Sequence, residues 1–405
     1  MLPLTKITEA YDRVKDVVIR TPFAHAPLLS ARSGADVYLK KENLQLTGAY
    51  KLRGAYNKIA TLSEAERSKG VIAASAGNHA QGVAYSARIF GIPATIIMPE
   101  ATPLLKVQNT TSLGAEVILH GENYDEAYAY ALEYAKKHAL TFIHPFADEA
   151  VLAGQGTIAL EMLDEVEDLD YLVIPIGGGG LISGIGSYIR QAKPDIKIIG
   201  VVAEGAPAMK NSFHSKKPLD STSVRTIADG IAVRDVSPKN LEIILEVADD
   251  VVSVDDEEIA SAILFLLERQ KLVVEGGGAV GVAAIMHHKF HFEKGAKIAT
   301  VLSGGNIDVQ MLSLIIEKGL IKAHRKMKLM VTLIDKPGAL RGLSDILADA
   351  GANIIQIDYD RTSTSLSYGD ANVTLALETK GAEHQEEIRR RLAESGYRFQ
   401  EEMRL

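Results

Sequence analysis

The 405-residue sequence contains no cysteine and no tryptophan. Without cysteine there is no disulfide, no thiolate nucleophile, no iron–sulfur cluster and no thiolate-ligated zinc; the absence is compatible with a reducing compartment and points to the cytoplasm. The chain also lacks a basic excess. Its 44 Lys and Arg stand against 52 Asp and Glu, a net charge of −8, so there is no positive field to hold a phosphate backbone and nucleic acid is excluded as a partner. The opening residues carry no apolar run behind a basic one, so no signal peptide is read. Tyr171 to Ile189 is free of charge over about the length that crosses a bilayer, but its six glycines and one proline fit a central strand, a glycine turn and a buried helix instead, and no membrane partner is expected. Also missing are the HExxH, EF-hand and G-x-S-x-G patterns, which leaves hydrolase chemistry without an anchor.

What is present is an ordinary soluble balance, 47% hydrophobic and 24% charged, on a chain long enough for two or three domains at about 150 residues each. Short β-branched runs alternate with helical patterns through the first three quarters. VIAAS, ATIIMP, EVILH, TFIHP, YLVIPI, KIIGVVA and IATVLS read as strands, and Gly82 to Phe90, Tyr124 to His138 and Ile259 to Gln270 as helices. That alternation predicts an α/β region with a mainly parallel sheet, its ligands at the strand C-terminal ends. We expect this region over 1–320, with a smaller subdomain at about 45–150 inserted in a larger one. A linker follows at 321–327, and 328–405 reads as strand (LMVTLID), helix (Gly338 to Ala350), strands (NIIQIDYD, NVTLALET), helix (Glu383 to Ser395) and strand (YRFQEEM). This βαββαβ order is ferredoxin-like, and its sheet face favours pairing with another subunit.

Four glycine-containing clusters fall at predicted strand ends or strand-to-helix turns. In Thr47-Gly-Ala-Tyr-Lys51-Leu-Arg-Gly54, Lys51 opens a helical run, and desolvation or a nearby cation such as Arg53 would make it a Schiff-base former. In Ala74-Ser-Ala-Gly-Asn78-His79 a helix begins directly after a strand, which suits an anion such as a carboxylate, or else a simple side-chain cap by Ser75 or Asn78. Gly177-Gly178-Gly179-Gly180-Leu181 lets the backbone approach a phosphate closely; it lacks the P-loop ending and fits no phase of G-x-G-x-x-G, so nucleoside triphosphates and dinucleotides are disfavoured. A literal G-x-G-x-x-G does occur at Gly276 to Gly281, but no ribose-binding acid follows it, and tight helix packing explains those glycines better. The fourth cluster, Ser303-Gly304-Gly305-Asn306, sets one hydroxyl at a strand end or is a plain turn. His287, His288 and His291 lie near a helix end, where His287 and His291 share a face, and are read as a charged terminus rather than a metal site.

Taken in order, TGAYKLRG, SAGNHAQG, GGGGL and SGGN resemble the fold type II (tryptophan synthase β-like) pyridoxal-phosphate enzymes, most closely the threonine dehydratases, or threonine ammonia-lyases. HPFADEAVLAGQGTIALE and IADGIAV are similar to further stretches of the same family, and the tail around Asp335-Lys-Pro-Gly338 resembles an ACT regulatory domain. The resemblance implies pyridoxal 5′-phosphate bound by Lys51 as Schiff-base lysine and catalytic residue, with Tyr50 against the ring and Asn78 on the ring hydroxyl. It implies Gly177, Gly178, Gly179, Gly180 and Leu181 around the phosphate, Ser303 facing the ring nitrogen, and Ser75, Ala76, Gly77, Asn78 and His79 on the substrate carboxylate. It further implies an amino-acid effector, isoleucine or valine, near Asp335, Lys336, Pro337 and Gly338, and assembly as a homodimer or homotetramer. The activity implied is conversion of L-threonine to 2-oxobutanoate and ammonia, with L-serine giving pyruvate.

The sequence departs from the family in three places. Ala49-Tyr50 replaces Ser-Phe before the lysine. Ala76 stands where serine racemases carry the second serine that serves as acid or base on the opposite face. Glu204 is the sole acid in the segment Gly200 to Ala208, where those relatives offer a cation site, so no divalent metal is expected. Serine racemisation, β-replacement, and an amino-acid sensor with a degenerate catalytic region are the competing readings.

Overall fold

The computed structural model describes residues 1–364 and 366–401. The chain divides into two compact units, Met1–Asp308 and Val309–Leu405.

The first unit contains two sheets. The larger has six strands in the order Phe23–His25, Asp36–Lys40, Lys297–Val301, Tyr171–Pro175, Lys197–Ala203, Asp250–Val254, all parallel except the first pair. The smaller has four parallel strands, Glu116–Leu119, Ala94–Met98, Val71–Ala74 and Thr141–Phe142, all of them within residues 45–150. Central strands such as Tyr171–Pro175 and Ala94–Met98 are buried at every position, because helices cover both faces of a parallel sheet and alternation is lost. All seven runs read as strands are strands. Three further strands escaped notice, Phe23–His25, Asp36–Lys40 and Asp250–Val254, each short or carrying a polar residue at its ends.

The charge-free stretch from Tyr171 resolves as expected into the strand Tyr171–Pro175, a glycine turn and the helix Gly180–Ala192. Among the described residues no helix is long and apolar enough to cross a membrane. Tyr124–His138 opens with Asn123 accepting from the Asp125 and Glu126 N–H groups, and Glu149–Glu165 with Asp148 accepting from Ala150 and Val151; these caps pair donors that a helix start otherwise leaves without partners. The helix read over 259–270 is an α-helix, Asp256–Phe265, that widens into a π turn at Leu266–Gln270. The helix Gly276–Met286 is buried throughout, and an added Cβ would fall 2.6 Å from the Gly304 carbonyl at Gly278, so these glycines serve close packing. This helix ends at Met286, so His287 and His291 lie beyond it and share no helical face. No group of three His, Asp or Glu side chains converges among the described residues.

The second unit is a four-stranded antiparallel sheet, ordered Asn353–Asp360, Asp370–Glu378, Lys326–Ile334, Arg398–Glu401, with helices Ala339–Asp349 and Ala382–Glu394. Its core is Leu329, Val331, Leu333, Val373, Leu375 and their neighbours against Leu343, Leu347, Ile388 and Leu392. Alternate burial along Lys326–Ile334 is the period-2 pattern of a sheet with one covered face. The order is βαββαβ; of the last strand, read over 397–403, residues 402 and 403 lie outside the described residues. The boundary differs from the one expected at 320. Helix Val309–Lys322 falls in the second unit, where Glu317 pairs with Lys326 and lies 4.0 Å from Lys328, and the 321–327 linker shrinks to a turn between helix and strand.

Candidate active site

The turns that follow the strands Val71–Ala74, Tyr171–Pro175 and Lys297–Val301 carry three of the polar clusters. Lys51 is the first residue of the helix Lys51–Thr61, and the segment before it is stitched to the Ser303 turn. Tyr50 N–H donates to the Ser303 carbonyl (3.1 Å), Gly305 N–H to the Gly48 carbonyl (2.9 Å), and Ala49 bridges Gly304. The Lys51 amine donates to the Pro145 carbonyl (2.9 Å) and stands 5.4 Å from the centre of the Tyr50 ring. Burial pulls its pKa from 10.5 down to about 8, against the opposing charge of Glu275. Arg53, expected to act as the neighbouring cation, does not. It turns into a buried cluster with Glu42 (2.8 Å), Glu161 (2.7 Å) and, through Glu161, Lys40 (2.6 Å), so its charge is compensated and desolvation alone lowers the Lys51 pKa.

The helix Asn78–Phe90 starts directly after the strand Val71–Ala74 with Gly77 at its N-cap and no side-chain cap. Ser75 Oγ instead accepts from Gly77 N–H (3.2 Å). Among the described residues the N–H groups of Asn78, His79 and Ala80 meet no acceptor, and a Cβ built on Gly77 would meet open space, so the helix start is bare toward the cleft. The glycine run has the same property. Gly177 through Leu181 donate to nothing among the described residues, while Asn240 Nδ2 secures the loop by donating to the Gly178 and Phe146 carbonyls (2.6 and 2.7 Å). A Cβ on Gly178 would run into the Phe146 ring. Two uncapped helix N-termini thus flank one amine, each a ready anion site.

Ser303 is buried, and its Oγ makes no hydrogen bond among the described residues. Two imidazoles are neutral. His79 is driven down to about 3 by burial and then by Lys51, and Nε2 faces the Ile143 carbonyl (2.8 Å). His144, lowered to about 4 by the same two causes, accepts at Nδ1 from Phe146 and Ala147 N–H (3.2 and 2.9 Å), which fixes the tautomer with the proton on Nε2.

Glu275 and Asn306 were not singled out from the sequence as site residues. Glu275 precedes the Gly276 run, is buried, and has its pKa raised to about 7 by burial and then by the charge of Asp229; Asn78 Nδ2 donates to it (2.6 Å). The signal available was the acid itself, adjoining a glycine run already marked as tightly packed. Asp335, Lys336, Pro337 and Gly338 belong to the second unit, at the turn from Lys326–Ile334 to Ala339–Asp349. There Asp335 accepts from the Tyr359 hydroxyl (2.8 Å) and Arg361 (3.3 Å).

Pyridoxal phosphate presents a dianionic phosphate, an aldehyde, a ring hydroxyl and a ring nitrogen. The donor set matches it: unpaired loop N–H groups for the phosphate, a buried amine of lowered pKa for the aldehyde, an amide beside it, and a neutral hydroxyl at a strand end. Residues 14–304 match the family model described as pyridoxal-phosphate dependent enzyme. The chain is 49% identical to the L-threonine ammonia-lyase of Thermotoga maritima over 98% of both chains. Among solved structures it is similar to the processed form of threonine deaminase isoform 2 from Solanum lycopersicum, with 39% identity, TM-score 0.75, and 78% of this chain and 86% of that one covered. It is also similar to maize serine racemase, with 34% identity, TM-score 0.74, and 79% and 98% coverage.

Proposed function

The chain belongs to the pyridoxal-phosphate dependent enzymes, of fold type II, and from that premise we propose that it is an L-threonine ammonia-lyase, converting L-threonine to 2-oxobutanoate and ammonia and acting on L-serine to give pyruvate. The observation that carries the reading is the Lys51 amine, depressed to about 8 and set between two uncapped helix starts. When bound, the cofactor supplies an electron-withdrawing ring that takes up charge from the substrate's Cα. Gly177 to Leu181 would hold its phosphate, Tyr50 would lie against the ring and Asn78 would meet the ring hydroxyl. Lys51 Nζ removes the Cα proton; a pKa near working pH suits a group that must be neutral to accept a proton and cationic to return it. The N–H groups at the start of Asn78–Phe90, with Ser75, Ala76, Gly77 and His79 around them, bind the substrate carboxylate. Ser303 would offer the ring nitrogen a neutral hydroxyl and leave it largely unprotonated, which would favour elimination over transamination.

Ala76 has no hydroxyl to deliver a proton to the opposite face, so the related racemisation lacks its second residue. We assign the second unit as an ACT-like domain that takes isoleucine or valine near Asp335, Lys336, Pro337 and Gly338, in a cytoplasmic homodimer or homotetramer. Its βαββαβ order and the Asp335 turn support this. The effector must bind two conformational states with different affinity for control to follow. Purified protein supplied with pyridoxal phosphate and L-threonine is expected to form 2-oxobutanoate, less so with isoleucine. Bound cofactor without product, together with D-serine formation or incorporation of an added nucleophile, would replace the reading by racemisation or β-replacement. Failure to bind the cofactor would favour a sensor.

A further inference from the structure

Three of the four sequence clusters meet, together with Glu275, in one hydrogen-bond chain of fixed polarity. Asn306 Nδ2 donates to the Thr47 carbonyl (2.9 Å) and to Asn78 Oδ1 (2.7 Å), and Asn78 Nδ2 donates to Glu275 Oε1 (2.6 Å). Glu275 is itself pinned by its N–H to the Gly304 carbonyl (3.0 Å). The backbone leaves room for the chain at two glycines. A Cβ on Gly304 would collide with Glu275 Oε1 and sit 3.0 Å from Asn78 Nδ2, and one on Gly48, at φ +71°, would sit 2.6 Å from Asn306 Oδ1.

A carbonyl only accepts, so Thr47 orients the Asn306 amide with Nδ2 toward it. That nitrogen only donates, so it can face Asn78 Oδ1 and not Asn78 Nδ2. At the other end Glu275, in the ionised form it holds above about pH 7, only accepts, so it can face Asn78 Nδ2 and not Oδ1. Turning the Asn78 amide over would set donor against donor at Asn306 and acceptor against acceptor at Glu275, two unmade bonds in a water-poor site. A primary amide has two N–H groups, and the chain consumes one. The other meets no acceptor among the described residues, and an N–H stabilises an ionised oxygen more than a protonated one.

We propose that Glu275 and Asn306 are positioning residues that lock the Asn78 carboxamide so that its second N–H is presented to the cofactor's ring hydroxyl and holds that hydroxyl ionised. This rests on the reading of Asn78 as the ring-hydroxyl partner. Neither residue touches the reacting carbon; both act through Asn78.

The test is the absorbance of bound pyridoxal phosphate in the resting holoenzyme, without substrate, as the ratio of the visible band of the ionised ring hydroxyl to the near-ultraviolet band of the neutral one. Glu275→Leu and Asn306→Ala are each expected to lower that ratio by about tenfold, the scale of one hydrogen bond to a charged oxygen. Glu275→Gln keeps an oxygen acceptor and is expected to restore the ratio, which a merely structural role for the side chain would not distinguish. The Asn306 side chain is only partly buried, so Asn306→Ala covers the case in which Glu275→Leu does not fold. A wild-type ratio in Asn306→Ala and in whichever Glu275→Leu holoenzyme forms, with a changed ratio in Asn78→Ala, would overturn the lock while leaving Asn78 in place. An unchanged ratio in Asn78→Ala would overturn the lock and its premise together.

Discussion

Lys51 and Arg53 stand two residues apart at the start of one helix, both drawn out of bulk water, and the structure sends them in opposite directions. Arg53 is fully buried, and burial by itself would lower its pKa. The charges and hydrogen bonds of Glu42 and Glu161 outweigh burial, and the guanidinium is held more firmly charged than in water. Among the described residues Lys51 finds only the Pro145 carbonyl within hydrogen-bond reach, and Glu275, the carboxylate that favours its cation, only partly offsets desolvation. Their counterparts repeat the pattern. Burial also works against the Glu42 anion, yet Arg53 lowers its pKa, whereas Glu275, with an amide for a partner, rises to about 7. Burial thus does not decide protonation; the partner set does. Arg53 and Glu42 keep their charges because each compensates the other, and Lys51 and Glu275 are pushed toward their neutral forms because they are not so compensated.

The largest expected effect breaks the uncompensated half. Lys51→Ala should cut 2-oxobutanoate formation by at least about 10⁴-fold, at the upper end of what a positioned base contributes, and should abolish covalent attachment of the cofactor. The variant should stay folded, since removing an uncompensated amine leaves no partner charge behind. Retained threonine turnover would refute the assignment. The next effect breaks the compensated half. Arg53→Met strands Glu42 and Glu161 in the interior, and should cost about 3–5 kcal/mol in denaturant unfolding of the cofactor-free protein. Loss below 1 kcal/mol would mean that the cluster is solvated in a way the burial of Arg53, Glu42 and Glu161 (0%, 0% and 2% exposed) does not suggest.

How much of this was visible beforehand follows from sequence distance. Lys51, the Asn78 helix start, the glycine run and Ser303 each sit in a local pattern of glycine and polar residues next to a strand, and the structure brings all four together. Five of the seven strands read from the sequence were legible because their apolar runs are buried at nearly every position, whereas the edge strands Glu116–Leu119 and Thr141–Phe142 are half-buried or exposed and were marked by their apolar and β-branched residues alone. Phe23–His25 and Asp36–Lys40 were not, since the first is a three-residue edge strand and the second, though paired on both sides, carries Asp36 and Lys40 at its ends, which blurs the pattern. The meaning of Arg53 was misread because its counterions, Glu42 and Glu161, are scattered along the chain and nothing local marks them as buried. Glu275 was passed over for the same reason: an acid before a glycine run looks like solvated charge until Asn78, 197 positions away, is seen to donate to it. The second unit's order was readable from alternation, while its boundary was not, because the Glu317 pair that draws Val309–Lys322 to it is a tertiary contact.

A smaller effect has the opposite sign to that of Arg53→Met and so sharpens the contrast. Lys51→Met should stabilise the cofactor-free protein at pH 7 by roughly 1 kcal/mol, as removal of a poorly compensated charge does. Between about pH 8 and the ordinary lysine value of 10.5 the unfolded chain holds a proton that the folded one has released. Wild-type stability therefore rises with pH across that interval, and the penalty is fully present below it. The advantage of Lys51→Met should shrink over the same range, read as converging unfolding curves at pH 7 and pH 10. Parallel curves would place the amine in water rather than in the cleft.

The smallest expected effect is also the most local. Glu275 favours the Lys51 cation by its negative charge, and that charge appears only as pH passes about 7, just below the range in which the lysine itself titrates. Above that point the carboxylate helps Lys51 keep its proton; replaced by Gln, it no longer can. Glu275→Gln should therefore move the midpoint for acylation of Lys51 in the cofactor-free protein downward from about 8, by less than about one unit because other groups and solvent screen the pair. The amine becomes more readily neutral although the site has lost an acid, the reverse of what deleting a hydrogen-bonding anchor would do. An upward shift would mean that Glu275 meets the amine mainly as a proton donor, and the partner-set account of why Lys51 and Arg53 differ would then have to be rebuilt around a neutral Glu275.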